Sequence, residues 1–401
     1  MNDRPRSATR EAATGTNDPV ALARALIRCP SVTPAEAGAL DLMEHTLGKL
    51  GFDCHRLTFS EPGHADVDNL YARLGDSEPN LCYAGHTDVV PVGDAAAWSV
   101  DPFAGALVDG RLIGRGAVDM KGSIAAFVAA TARFLARSGP GFGGSISLLI
   151  TGDEEAEAVN GTCKALTWLA ARGETLDACL VGEPTSDRRL ADTIKIGRRG
   201  SLSAEISVIG TQGHVAYPDL ADNPIHHLAR MLDAVTSEPL DRGSAHFPPS
   251  TLQVTDVAVG NEAGNVVPAR ARARLNVRFN NLHTDADVAA WLRARFDRAL
   301  DTSKGARYEM TTHASADSFL CPPGPWSEVV SAAAESVTGR RPALATTGGT
   351  SDARFIKDHC PVVELGLLNA TAHKVDEQVA VADLLALTAI YETVLDRYFA
   401  P

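Results

Sequence analysis

The chain has 401 residues, 45% of them hydrophobic and 22% charged, a composition with room for two domains and a large buried core and unlike that of a fibrous or disordered protein. A formal net charge of -13 sets it against nucleic acid or an anionic membrane as partner, although a local cluster of arginines can still receive a small anion. No apolar run approaches the length of a membrane span.

Residues 1–17 are polar and lack the apolar core of a signal peptide, so they are expected to form a disordered lead-in to a cytoplasmic protein. Seven cysteines, at 29, 54, 82, 163, 179, 321 and 360, include no CxxC pair, which points to buried thiols in a reducing compartment. Asp18 and Pro19 offer the N-cap and first position of a helix reaching about residue 28, and Pro34 is expected to open another that closes at Gly51. The apolar run 80–84 reads as a short buried strand, and His86 and Asp88 follow two apart at its carboxyl end, where open α/β sheets place their ligands. A lone histidine there would more often be structural. Asp119, in Gly114-Arg115-Gly116-Ala117-Val118-Asp119-Met120-Lys121-Gly122, precedes an apolar helical stretch over 123–135, and its bland reading is an N-cap.

The apolar run 145–150 ends in Thr151-Gly152-Asp153-Glu154-Glu155, three consecutive carboxylates that repel one another and call for a compensating cation or else for a solvated acidic turn. A helix is expected over about 161–172, then a strand ending in Glu183. Late in the chain a strand over 361–366 is followed by a loop carrying His373. Strand after strand ends in an acid or an imidazole, and His86, Asp119, Glu155, Glu183 and His373 together offer the nitrogen and oxygen donors that suit zinc.

Between residues 200 and 313 the order is strand, helix, strand, strand, helix, strand, a ferredoxin-like pattern expected to form a separate small domain. In its third strand Arg270, Arg272, Arg274, Asn276 and Arg278 alternate with apolar residues, so one face packs on the helices and the other is free. The first three arginines read as a solvated face, and Arg278 stays open. Two Gly-rich stretches, residues 210–218 around His214 and 346–352, are neither phosphate loops nor dinucleotide fingerprints, yet the second offers backbone NH groups to an anion.

GHTDVVP, GRGAVDMKG, TGDEE, GEPT, GRRGSLS, GHVAYP, TTGGTSDARF and NATAHKVDE, in this order from residue 85 to 377, resemble the di-zinc amidohydrolase family of aminoacylases and carboxypeptidases. The resemblance implies a three-layer α/β/α zinc-exopeptidase-like catalytic domain over 18–199 and 314–401, with an inserted α+β ferredoxin-like dimerisation or lid domain over 200–313. It implies one zinc on His86 and Glu183, a second on Glu155 and His373, Asp119 bridging the two through a cis peptide to Met120, and a second site open to cobalt or another divalent ion. Asp88 corresponds to the residue that hydrogen-bonds the ligand imidazole and Glu154 to the general base. His214 is implied to stabilise the oxyanion of the partner subunit's site, across a homodimer built on the small domains. Arg198 or Arg199, Ser201, Asn265, Arg278, Gly349 and Thr350 fall in segments similar to the substrate-binding ones, although Gly264-Asn265 stands where two adjacent asparagines are the rule. The reaction implied is hydrolysis of the amide bond of N-succinyl-LL-2,6-diaminopimelate to succinate and LL-diaminopimelate. A sibling acting on acetylornithine or another N-acyl amino acid would share every metal ligand, and GRRGS and TTGGTSD argue against it. A metal-dependent carboxypeptidase is a further alternative. A non-catalytic binding relative would be free to lose Glu154, which is present here.

Overall fold

The computed structural model describes residues 16–139 and 141–400, so most of the expected lead-in over 1–17 lies outside the described residues. The chain divides into two compact units, the smaller made of Gly197–Leu320 and Thr346–Thr350.

The larger unit is built on a mixed eight-stranded sheet. Its strand order is Asp53–Phe59, Val67–Leu74, Ser145–Thr151, Asn80–His86, Ala178–Val181, Val362–Glu364, Thr193–Lys195 and Ala343–Ala345. The four central strands, from Ser145–Thr151 to Val362–Glu364, run parallel. Parallel strands are covered on both faces and therefore read as unbroken apolar runs, and every position of Ser145–Thr151 and of Ala178–Val181 is buried. Their carboxyl ends lie along one edge, where they deliver His86, the 151–155 turn and Glu183.

The helix Lys121–Ser138 packs against Pro19–Ile27 and Val381–Tyr398 and is buried without a break from Lys121 to Thr131. A helix apolar all round is a core helix. Asp18 caps Pro19–Ile27, its carboxylate accepting from Val20 N at 2.9 Å. Pro34 does not open the second helix. The Thr33–Pro34 bond is cis, and the helix spans Ala39–Lys49 behind Gly38, whose φ of 86° is a left-handed value that glycine adopts freely. No described helix is long and apolar enough to cross a membrane.

In the smaller unit four antiparallel strands stand in the order Thr251–Ala258, Arg270–Phe279, Gly200–Ile209 and Arg307–Ala316. The helices Pro224–Thr236 and Asp285–Ala299 supply Leu228, Met231, Val288, Leu292 and Phe296 to a core shared with Ala271, Ala273, Leu275, Val277 and Phe279. This is the period-two face of the arginine-bearing strand. The second helix opens on a capping box of Thr284 and Asp287. The boundaries fall at 196/197 and 320/321, outside the expected 200–313, because the two entering and leaving segments pair with each other, Arg198 with Phe319 and Gly197 with Leu320. A pairing between residues this far apart in sequence leaves no mark in the local pattern.

Candidate metal centre

His86 ends its strand almost fully buried. Its Nδ1–H donates to the backbone carbonyl of Asp88 at 2.8 Å, which leaves Nε2 as the nitrogen facing the site. Asp88 is therefore the hydrogen-bond partner of the imidazole, through its backbone and not its carboxylate. The nearest carboxylate oxygen is 3.6 Å from Nδ1, too long for a hydrogen bond, and the carboxylate instead accepts the backbone N–H of Glu155 at 3.0 Å and of Glu154 at 3.4 Å. Asp88 thus ties the His86 strand end to the acidic turn.

That turn separates its three acids. Asp153 accepts from Asn160 N at 2.8 Å and Ala158 N at 3.2 Å and serves its own loop. Glu155 places Oε1 at 2.9 Å from Nε2 of His373, a residue held at φ 60° on its loop. Asp119 is not an N-cap, since the helix after it carries no side-chain cap, and its peptide bond to Met120 is cis. Its carboxylate lies between the two imidazoles, Oδ1 at 3.2 Å from His86 Nε2 and Oδ2 at 3.2 Å from His373 Nε2. Glu183 brings Oε1 to 3.6 Å from His86 Nε2. Ligand atoms of His86, Asp119 and Glu155 lie within 4.8 Å of one another, as do those of His86, Glu154 and Glu183.

So many acids in a desolvated place perturb one another. Burial pushes the Glu154 carboxyl well above its usual range, and the Glu183 carboxylate adds to the shift. Burial alone would lower His86, but Asp119 and Glu183 outweigh it and hold the imidazole well above its usual value. His373 is pushed up to about 10 by Asp119 and then Glu155. Asp119, which burial would raise, is lowered by His373 and His86. The two imidazoles stand among acids that call for positive charge, and a borderline divalent ion fits a donor set of two imidazole nitrogens and several carboxylates.

Two packing residues went unread in the sequence. Met120 is fully buried, and a Cβ on Gly85 would meet its Cε at 2.5 Å, while one on Gly182 would meet it at 2.8 Å and Tyr83 Oη at 1.8 Å. Each glycine stands one residue before a candidate ligand, His86 or Glu183, and the sequence signal was the repeated Gly-ligand pair.

The remaining residues fall in the smaller unit. Arg198 is buried with Nη1 donating to Gly349 O at 3.2 Å, an approach a Cβ on Gly348 would obstruct at 2.7 Å from that nitrogen. Ser201 and Arg278 are register partners, and Arg199 donates to Thr251 Oγ1 at 3.4 Å from the same end of the sheet. Burial and then the neighbouring Arg278 charge lower the Arg199 guanidinium. Gly213–His214 pairs with Val266–Val267, and Val215 N donates to Asn265 O at 3.1 Å, so His214 and Asn265 are neighbours. His214 is exposed, and its Nδ1 accepts from Ala216 N at 3.1 Å, which places the ring proton on Nε2.

Residues 82–397 match the profile of Peptidase family M20/M25/M40. Succinyl-diaminopimelate desuccinylase of Rhodospirillum centenum is 63% identical over 383 residues, 96% of this chain and 98% of that protein. The enzyme of the same name from Parvibaculum lavamentivorans is 57% identical over 383 residues, 96% of each. Among solved structures, aminopeptidase PepT from Bacillus cereus superposes with a TM-score of 0.75 at 20% identity, over 96% of this chain and 98% of that one, a likeness of fold.

The contact of Gly182 with Tyr83 yields a stability test. Gly182→Ala is expected to cost about 1–3 kcal/mol by overpacking, read from urea unfolding of the metal-free chain. Adding Tyr83→Phe should recover about 1 kcal/mol of that loss, because the two residues touch. Strictly additive effects would show that the contact does not set the position of the Glu183 turn.

Proposed function

We propose, for a chain that belongs to peptidase family M20/M25/M40, that it hydrolyses the amide bond of N-succinyl-LL-2,6-diaminopimelate, releasing succinate and LL-diaminopimelate on the route to diaminopimelate and lysine. The identity of 63% and 57% over nearly the full length to desuccinylases supports the substrate. The observation that carries the chemistry is the Asp119 carboxylate, which offers one oxygen toward each of two imidazoles at the edge of the sheet.

In this reading His86 and Glu183 would hold one divalent ion, Glu155 and His373 a second, and Asp119 would serve both, and we assign zinc to them from the donor set. Bound ions of this kind acidify a water and polarise the amide carbonyl. Glu154 is the general base. It sits beside His86 and Glu183 without being assigned to either ion, where it can take a proton from the attacking water and return it to the leaving amine. Asp88 keeps His86 in one tautomer through its backbone carbonyl and braces the Glu154 and Glu155 amides through its carboxylate.

The substrate carries three carboxylates, and guanidinium forks match them. We assign them to two groups in the smaller unit, Arg198 with Gly349 and Thr350, and Arg199 with Ser201 and Arg278. Arg199 and Arg278 repel each other unless an anion lies between them, which favours that use. We further assign His214, with Asn265 beside it, to the oxyanion of the partner chain in a cytoplasmic homodimer formed through the smaller unit. The tautomer with the proton on Nε2 makes it a donor.

Purified chain supplied with zinc, assayed on N-succinyl-LL-2,6-diaminopimelate and N-acetylornithine side by side, is expected to favour the first in kcat/KM by a factor on the order of 10⁴, since a site built for a carboxylate leaves cations unpaired without it. Faster turnover of N-acetylornithine would overturn the substrate assignment. Glu154→Ala should lose at least about 10²–10⁴ in kcat while binding as much zinc as the parent, and a fall in zinc stoichiometry would make it a ligand instead of a base. His214→Ala should lose about 10²–10³ in kcat. A heterodimer of one Glu154→Ala chain and one His214→Ala chain has both lesions in one site and none in the other if His214 acts across the dimer, so mixing should restore up to half of the parent activity. A mixture as inactive as its components, with exchange verified by mass, would show that His214 acts within its own chain.

A further inference from the structure

Glu377, four residues beyond His373, is fully buried and takes no part in the chemistry above. Its carboxylate receives four hydrogen bonds. Oε2 accepts from Arg115 Nη1 at 2.8 Å and Gly116 N at 3.0 Å, and Oε1 accepts from Val118 N at 2.8 Å and Asp119 N at 3.1 Å. The backbone carbonyl of Glu377 also accepts from Gly114 N at 2.9 Å. The whole turn from Gly114 to Asp119 therefore wraps round one side chain, helped by Gly116 at φ 85°. This is an anion nest whose anion belongs to the protein.

Its ion-pair partner extends the grip. Arg115 is as deeply buried, and it also donates to Lys374 O at 3.2 Å and Pro91 O at 3.3 Å while lying 5.3 Å over the Trp98 ring. One buried ion pair thus joins the segment after His86, the turn that ends in Asp119, and the loop that carries His373. These three segments bear the two imidazoles and the carboxylate between them.

We propose that Glu377 is a positioning residue for Asp119: by holding the Asp119 amide it sets the carboxylate with one oxygen toward His86 and the other toward His373, so that both metal sites form together. This rests on reading Asp119 as the bridging ligand. A buried ion pair that served stability alone would need only shape and charge balance. Bridging needs the direction of the Asp119 side chain, and four donors converging on two oxygens fix it from the backbone side.

Glu377→Gln keeps the shape and removes the charge. Whichever way the amide turns, its NH₂ group faces donors, either Arg115 and Gly116 or Val118 and Asp119, and one oxygen is lost as an acceptor. Chelator-treated protein titrated with Zn²⁺ against a chromophoric indicator is expected to show both affinities lowered together by about 10–100-fold, with far-UV circular dichroism unchanged. Glu377→Asp keeps an acceptor for every donor at shorter reach and should fall between Gln and the parent. Folded Glu377→Gln that takes up two ions with parental affinity, or that loses only one of them, overturns the proposal. Failure of both variants to fold would assign Glu377 to the stability of the fold and overturn it equally. If the parent chain itself does not take up two ions, the bridging assignment of Asp119 falls, an outcome read before any variant is made.

Discussion

Like-charge repulsion among carboxylates at the end of a parallel sheet is the constraint from which the rest of the larger unit follows. Asp88, Asp119, Glu154, Glu155 and Glu183 gather round His86 and His373 at one edge of the sheet, Asp88, Asp119 and Glu183 of them buried. Burial favours the neutral form of Asp88 and Glu154, and neighbouring carboxylates push the same way. The protein answers with two imidazoles, and their company holds the Asp119 carboxyl below its usual range although it is buried. Such an arrangement suits cations, and the chain belongs to a peptidase family.

Holding acids against their repulsion requires a rigid frame, and the frame is made of close contacts where no side chain could be larger. Gly85 and Gly182 admit Met120 directly behind two of the donors. Behind Met120 the rings of Tyr83, Phe127 and Tyr391 pack against one another, Tyr83 on Phe127 at 4.2 Å between centroids. The central helix begins at Lys121, so the turn that carries Asp119 is anchored at one end by a buried helix and at the other by the Arg115 and Glu377 pair. This frame supports the segments that end in His86, Asp119 and Glu183.

The smaller unit solves a different problem. Its core is closed by two helices on one face of a four-stranded sheet, and its other face is free to carry cations. Along that face Arg270 meets Glu309 and Arg274 meets Asp256, each at 3.6 Å, as solvated surface pairs. Arg278 and Arg199 lie instead beside each other at the far end of the sheet. The alternation that makes a soluble sheet thus brings Arg278 to the end where Arg199 stands.

Local pattern was enough for much of this. Apolar runs ending in His86, Glu155 and Glu183 marked the central strands and their chemistry, because a strand buried on both faces is mostly apolar and its charged residues fall at its end. Period two in residues 270–279 and the order of elements around it marked the ferredoxin-like unit. Eight short motifs in fixed order supplied the resemblance from which the donor assignments came. Tertiary structure alone decided what depends on residues far apart in the chain. It turned the Asp88 carboxylate to the 154–155 amides and gave His86 the Asp88 carbonyl instead. It withdrew Asp153 into its own loop, moved the unit boundary outward through the pairing of Arg198 with Phe319, and started the second helix at Ala39 instead of Pro34. Glu377 shows the reason most plainly. Its partners lie some 260 residues earlier, and although it closes the motif NATAHKVDE, nothing local to it shows that its carboxylate will be enclosed by distant amides.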